Sequence, residues 1–247
     1  MNPQYSEIRK RRRSLASSFK PVTHVIFDMD GTLLDTEKIH KKTYSKIVKE
    51  YGKVITDELR MKMLGRQELD SATMMVNVLQ LDITPEEFLE KAHAIEAIEM
   101  KNVQFMHGVE TLLEHLHTNG IPMAIATSSS EISFRMKTDH LKDKFSVFNH
   151  VVTGASDPEV KNGKPAPDIF QICASRFPGS PRNNKCLVFE DSPNGVTAAR
   201  AAGMQVVMVP DLFLPEELTA NATLVLDSMD DFEPELFSLP PYFEIVC

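Results

Sequence analysis

Asp28-Met29-Asp30-Gly31-Thr32 follows directly on the run Val22-Thr23-His24-Val25-Ile26-Phe27. A β-rich apolar run that ends in two carboxylates, a glycine and a hydroxyl reads as a buried strand whose C-terminal tip carries chemistry. Carboxylates at i and i+2 near a strand end can face the same side, where their like charges resist close packing. A divalent cation relieves that repulsion, and Mg²⁺ suits sites built only of oxygen ligands. Gly31 lets the chain turn sharply away. The pattern is that of a metal-assisted carboxylate site acting on a bound anion. A calcium-binding EF-hand loop is excluded, because Gly31 stands fourth counting from Asp28 rather than sixth, and His40 rather than a Glu falls near the twelfth position.

Other chemically capable residues come after other apolar runs. Thr127-Ser128-Ser129-Ser130 comes after 123–126, and Glu190-Asp191-Ser192-Pro193-Asn194-Gly195 comes after Cys186-Leu187-Val188-Phe189. Gly163-Lys164-Pro165 precedes a helical segment. Singly, Glu190-Asp191 is as readily a helix-start acid pair, and Lys164 a surface lysine. In open α/β sheets, however, ligands bind outside the carboxyl ends of the strands. Acids, hydroxyls and one cation brought to one such rim are specific in combination.

The elements that must position these groups are legible as alternating segments. Strands are expected at 23–27, 123–126, 151–152, 186–189 and 206–209, and runs such as 186–189 are apolar on both faces, as helix-covered parallel strands must be. Between the first two strands the pattern is helix after helix, at 36–51, 56–64 and 67–80. A fourth helix begins at Thr84, where Pro85 at N1 and Glu87 complete a capping box. Further helices are expected at 109–119, 132–141, 167–176 and 195–202. The expected fold is α/β, a doubly wound, mostly parallel, Rossmann-like sheet with a helical subdomain inserted after strand one. By this division residues 21–35 and 104–247 form the core, 36–103 a helical cap and 1–20 a basic tail.

The segments DMDGT (28–32), ATSS (126–129), GKPAPDIF (163–170) and FEDSPNG (189–195) together resemble the four motifs of the haloacid dehalogenase superfamily. The helical insertion matches its small-cap subclass, and the likeness covers about residues 21–245. The resemblance implies a phosphatase in which Asp28 is the nucleophile, forming an aspartyl-phosphate, and Asp30 the general acid and base. It implies Mg²⁺ held by the Asp28 and Asp191 carboxylates and the Asp30 backbone carbonyl, with Glu190 nearby through water. The Thr127 hydroxyl and the Ser128 backbone N–H would hold phosphoryl oxygens, and Lys164 would balance their charge. The cap would close about hinges at 33–35 and 101–107. Glu37, His40 and Arg66 would then face the leaving group, although Arg66 could instead cap the preceding helix and His40 could simply pack.

A narrower likeness, carried by DPEVKNGKPAPDIF (157–170), KCLVFEDSPNGV (185–196) and AAGMQVVMVPD (201–211), implies a small phosphorylated metabolite as substrate, pseudouridine 5'-phosphate first, with other nucleoside or sugar phosphates left open. A sugar phosphomutase is the rival within the superfamily, but Glu68 stands where the mutases carry an arginine. A non-catalytic binder of phosphometabolites could dispense with Asp28, Asp30 or Asp191, and this chain keeps all three.

Composition agrees with a globular enzyme, 42% apolar and 25% charged. The net charge of −8 makes the core a poor candidate for nucleic-acid binding, and the basic run Arg9-Lys10-Arg11-Arg12-Arg13 is expected to be a solvated terminus, with a nuclear-localisation or polyanion-binding patch or an atypical transit peptide as the alternatives. No apolar run approaches the ~18 residues that span a bilayer. Cys173, Cys186 and Cys247 form no C-x-x-C pair, which fits a reducing compartment. A cytoplasmic monomer is therefore expected.

Overall fold

The computed structural model describes residues 19–63, 66–211 and 214–242. Most of the expected basic tail, the helix break at Gly65 and Cys247 lie outside the described residues. β1 (His24–Phe27), β2 (Met123–Thr127), β3 (His150–Thr153), β4 (Cys186–Glu190), β5 (Gln205–Met208) and β6 (Leu224–Val225) form one sheet in the order β3-β2-β1-β4-β5-β6. Every pairing is parallel. The chain winds outward from β1 to β3, returns to lay β4 beside β1, and then winds the other way. The strand order therefore switches between β1 and β4, where a ligand crevice opens in such sheets.

Burial explains the all-apolar strands. β2, β4 and β5 are buried at every position, and alternate residues feed the two faces. Val25, Phe27, Leu187 and Phe189 join Leu112, Leu116, Phe232 and Phe237 on one side. Ile26, Ala126, Val188 and Val206 join Ile169, Phe170, Cys173 and Ala198 on the other. Nine α-helices are described. Four lie between β1 and β2: α1 (Glu37–Glu50), α2 (Asp57–Met63), α3 (Glu68–Leu79) and α4 (Pro85–Glu99). They share a separate apolar cluster centred on Ile47, Leu59, Met75 and Phe88. The Thr84–Glu87 capping box opens α4 as expected. The two connecting chains run side by side, Met106 donating its N–H to the Leu33 carbonyl at 2.8 Å and Asp35 to Gln104 at 3.0 Å. The expected hinges are thus laced to each other.

The remaining helices are α5 (Val109–Thr118), α6 (Glu131–Thr138), α7 (Lys142–Phe145), α8 (Asp168–Ser175) and α9 (Pro193–Ala201). Three details differ from the sequence reading. The helix expected at 132–141 ends at Thr138 and continues as a 3₁₀ turn (Asp139–Leu141) and the short α7. α9 starts two residues early, because the Ser192 hydroxyl accepts from the Gly195 N–H at 3.1 Å and Pro193 occupies the first helical position. The two-residue β6 is an addition, since so short an edge has no period to read. Among the described residues no helix is long and apolar enough to cross a membrane.

Phe189 stacks on Phe27 at 4.9 Å and meets Phe232 edge-on, at the centre of one core face. Phe189→Ala should destabilise by about 3–5 kcal/mol in urea unfolding with an unchanged m-value. Val54→Ala, at a side chain 79% exposed, should stay within about 0.5 kcal/mol.

Candidate active site

β1 and β4 are neighbours in register, Phe27 opposite Phe189, so their C-terminal tips place Asp28 beside Glu190. Between them lies the Lys164 ammonium, which donates to Asp28 Oδ1 at 2.5 Å, Glu190 Oε1 at 2.6 Å and the Ala126 carbonyl at 3.1 Å. An ammonium has three donors and all are used. Lys164 is only 3% exposed. The second Glu190 oxygen accepts from the Asp191 and Ser192 backbone N–H groups, both at 3.2 Å, and from the Ser192 hydroxyl at 3.0 Å. Gly195 has to be a glycine here, because a β-carbon would overlap the Glu190 carboxylate. Gly31 is required twice over: its φ is +79°, and a β-carbon would overlap the Asp191 carboxylate.

Asp28, Glu190 and Asp191 are all buried, and each offers a carboxylate oxygen within 4.8 Å of the others. Burial, with Glu190 and Asp30 adding their charge, pushes Asp28 up to about 8 even though Lys164 opposes the shift. Burial, then Glu190 and Asp28, likewise raises Asp191 well above the usual carboxylate range. One ammonium does not neutralise three buried acids. An all-oxygen, electron-rich pocket of this kind fits Mg²⁺.

Asp30 behaves differently. Its side chain is not in that acidic group. Its Oδ1 accepts from the Thr36 hydroxyl at 2.8 Å and pairs with Lys137 Nζ at 2.9 Å. Its Oδ2 accepts from the Ser129 hydroxyl at 2.9 Å. Burial raises the Asp30 carboxyl, but Lys137 and His40 outweigh burial and hold it well below the usual range. Without a metal or substrate, the protein's own charges thus favour a proton on Asp28 over one on Asp30.

The helical insertion closes one side of a cavity whose lining includes Asp28, Asp30, Glu37, His40, Arg66 and Ser128. Glu37 is half-buried and raised by that burial. His40 Nδ1 lies 2.8 Å from Glu96 Oε1, and its Nε2 lies 3.7 Å from Asp30 Oδ1. Arg66 lines the cavity, and its Nε donates to the Lys62 carbonyl at 2.7 Å at the end of the preceding helix. Thr127 is wholly buried at the end of β2, its hydroxyl accepting from the Ser129 N–H at 3.1 Å. Gln67 joins the insertion to the core, donating to the Gly154 carbonyl at 2.9 Å.

Sequence reasoning gave no role to Lys137, Thr36 or Glu96, and it placed Ser129 on the rim without assigning it one. α6 carries Arg135 and Lys137 two residues apart, and nothing in their spacing distinguishes the solvated cation from the buried one. Glu96 lies on a helix rich in exposed acids and is itself only 2% exposed.

Burial and Lys137 push the His40 imidazole down, but bonding to Asp30 and Glu96 overrides them and raises it to about 10. A group raised on folding stabilises fully below its ordinary value, 6.5, and that contribution is lost as pH rises through about 10. His40→Gln should therefore cost most stability below pH 6.5 and progressively less toward pH 10, read as the difference in urea midpoint from the parent chain.

Residues 25–209 match the haloacid dehalogenase-like hydrolase family. A Drosophila melanogaster protein named probable pseudouridine-5'-phosphatase is 49% identical over 223 residues, 90% of this chain and 96% of its own length. The mitochondrial (DL)-glycerol-3-phosphatase 1 of Arabidopsis thaliana is 42% identical over 90% of this chain and 75% of its own. The fold is that of CbbY from Rhodobacter sphaeroides, solved with phosphate (TM-score 0.72, 20% identity, 85% of this chain and 96% of that one). The chain belongs to the haloacid dehalogenase-like hydrolase family and is one of its phosphatases.

Proposed function

We propose that this phosphatase is Mg²⁺-dependent and hydrolyses pseudouridine 5'-phosphate to pseudouridine and phosphate through an aspartyl-phosphate at Asp28. The observation that carries the mechanism is the contrast between the two aspartates at the end of β1: Asp28 is clamped by Lys164 at the sheet rim, and Asp30 is held apart on the cavity wall.

In the first half-reaction an Asp28 carboxylate oxygen attacks phosphorus. The bond from phosphorus to the leaving oxygen breaks, and that oxygen takes a proton from Asp30. In the second, Asp30 accepts a proton from a water molecule as its oxygen attacks the aspartyl-phosphate, which releases phosphate and restores Asp28. The Thr127 hydroxyl, which accepts from Ser129, keeps its own proton to donate to a phosphoryl oxygen. The Ser128 backbone N–H would hold a second oxygen, and Lys164 would offset the charge of both. The Asp28 and Asp191 carboxylates and the Asp30 carbonyl would hold the cation, with Glu190 behind them. When bound, Mg²⁺ would favour ionised Asp28 and temper its repulsion of the incoming dianion. A phosphate dianion arriving beside Asp30 works against Lys137 and His40 and favours its protonated form. Both additions work in the direction the reaction needs.

Residues 36–103 act as a cap over the reacting phosphate, where Glu37, His40 and Arg66 face the leaving group. The substrate rests on likeness to the Drosophila relative, and glycerol 3-phosphate competes through likeness to the Arabidopsis one.

Asp28→Asn should fold normally and lose about 10³-fold or more in phosphate release. Near-parental release from that variant would remove Asp28 as nucleophile. Across pseudouridine 5'-phosphate, uridine 5'-phosphate, glycerol 3-phosphate and a hexose phosphate, kcat/KM with Mg²⁺ should be highest for the first. A higher value for glycerol 3-phosphate replaces the substrate and leaves the mechanism standing.

A further inference from the structure

Lys137 is, with Lys164, one of two buried lysines among the described residues, 1% exposed, and it comes from α6 on the core side. A lone ammonium is costly to bury, so its partners show why it is there. Its Nζ pairs with Asp30 Oδ1 at 2.9 Å and donates to the Ser129 hydroxyl at 3.0 Å. Ser129 in turn donates to Asp30 Oδ2 at 2.9 Å. The ammonium therefore grips both oxygens of one carboxylate, the first directly and the second through a hydroxyl. A further anion, Glu68 of the insertion, stands 3.9 Å away and is itself paired with His93 at 3.2 Å.

These contacts are unequal. Thr36 and Lys137 both occupy Oδ1, whereas Oδ2 receives Ser129. A carboxylate oxygen accepting two donors, one of them charged, is the poorer site for a proton, so exchange with the leaving group falls to Oδ2. A packing role does not account for this arrangement, because a methionine of similar length would fill the same space without a charge to satisfy.

We propose that Lys137 is a positioning residue for leaving-group protonation: through Oδ1 and Ser129 it fixes the Asp30 carboxyl so that Oδ2 meets the departing oxygen. This rests on the reading of Asp30 as general acid. The two ideas separate when ester type is varied, since an alkoxide must be protonated as it leaves and a nitrophenolate need not be.

The experiment compares kcat/KM, which reports the steps up to leaving-group departure, for the best alkyl phosphate among the four esters and for p-nitrophenyl phosphate. Lys137→Met should lose about 10- to 100-fold on the alkyl ester and less than about threefold on the aryl ester, the scale expected when a reacting group is misplaced. Lys137→Arg should recover part of the loss. Should Lys137→Met fail to fold, Ser129→Ala, which cuts only the bridge to Oδ2, should show the same ester-dependent loss at smaller size. Equal losses on both esters, or none, would overturn the proposal. Asp30→Asn is the control. If it shows the ester dependence and the Lys137 and Ser129 variants do not, the inference fails alone. If Asp30→Asn shows none, the general-acid reading fails and the inference falls with it.

Discussion

A single ammonium between two carboxylates sets the conditions under which the rest of this structure operates. Parallel neighbours in register bring Asp28 and Glu190 to the same level of the sheet, and strand spacing leaves them only about 5 Å apart at the backbone. Lys164 reaches both and the Ala126 carbonyl of β2, so one side chain ties three adjacent strands at their C-terminal ends. Removing the Lys164 ammonium would leave two buried carboxylates uncompensated, which is far more damaging than never having buried them. The arrangement accounts for the glycines as well. Glu190 fills the space a side chain at Gly195 would need, and Asp191 fills that of Gly31.

The clamp is incomplete as electrostatics. Lys164 leaves Asp28 and Asp191 raised, so the site has an appetite for further positive charge. Two residues along, Lys137 and His40 hold Asp30 well below the usual carboxylate range, the opposite bias, which a negatively charged neighbour would relieve. One short strand tip thus presents two carboxylates with contrary demands. A dication and a phosphate dianion meet those demands together, which ties cofactor and substrate to the same few ångströms of chain.

Much of this was legible in the residues. Strands buried on both faces announce themselves as apolar runs, and the residues at the C-terminal end of each run are those the rim presents. The Thr84 capping box is a local signal and survives unchanged. Lys137 was not legible, because a buried cation on an amphipathic helix looks like a solvated one until the fold brings Asp30 and Glu68 to it. His40 and Arg66 were half legible. Their place on the cavity wall was implied by the family resemblance, whereas the bonds to Glu96 and the Lys62 carbonyl depend on how helices pack and end. β6 escaped because two residues carry no periodicity. The leaving group is harder still, since relatives named for a nucleotide and for glycerol phosphate share this framework at 49% and 42% identity.

If buried acidity at the tips of β1 and β4 is what the molecule is organised around, its affinity for a dication should be measurable without any turnover. Calorimetric titration of the metal-stripped protein with Mg²⁺, paired with its thermal melt, reads this directly. Binding at a single site with a raised melting temperature, weakened tenfold or more in Asp191→Asn, is the result the account predicts. No heat and no melting shift, or the same affinity once Asp191 is neutralised, would contradict it.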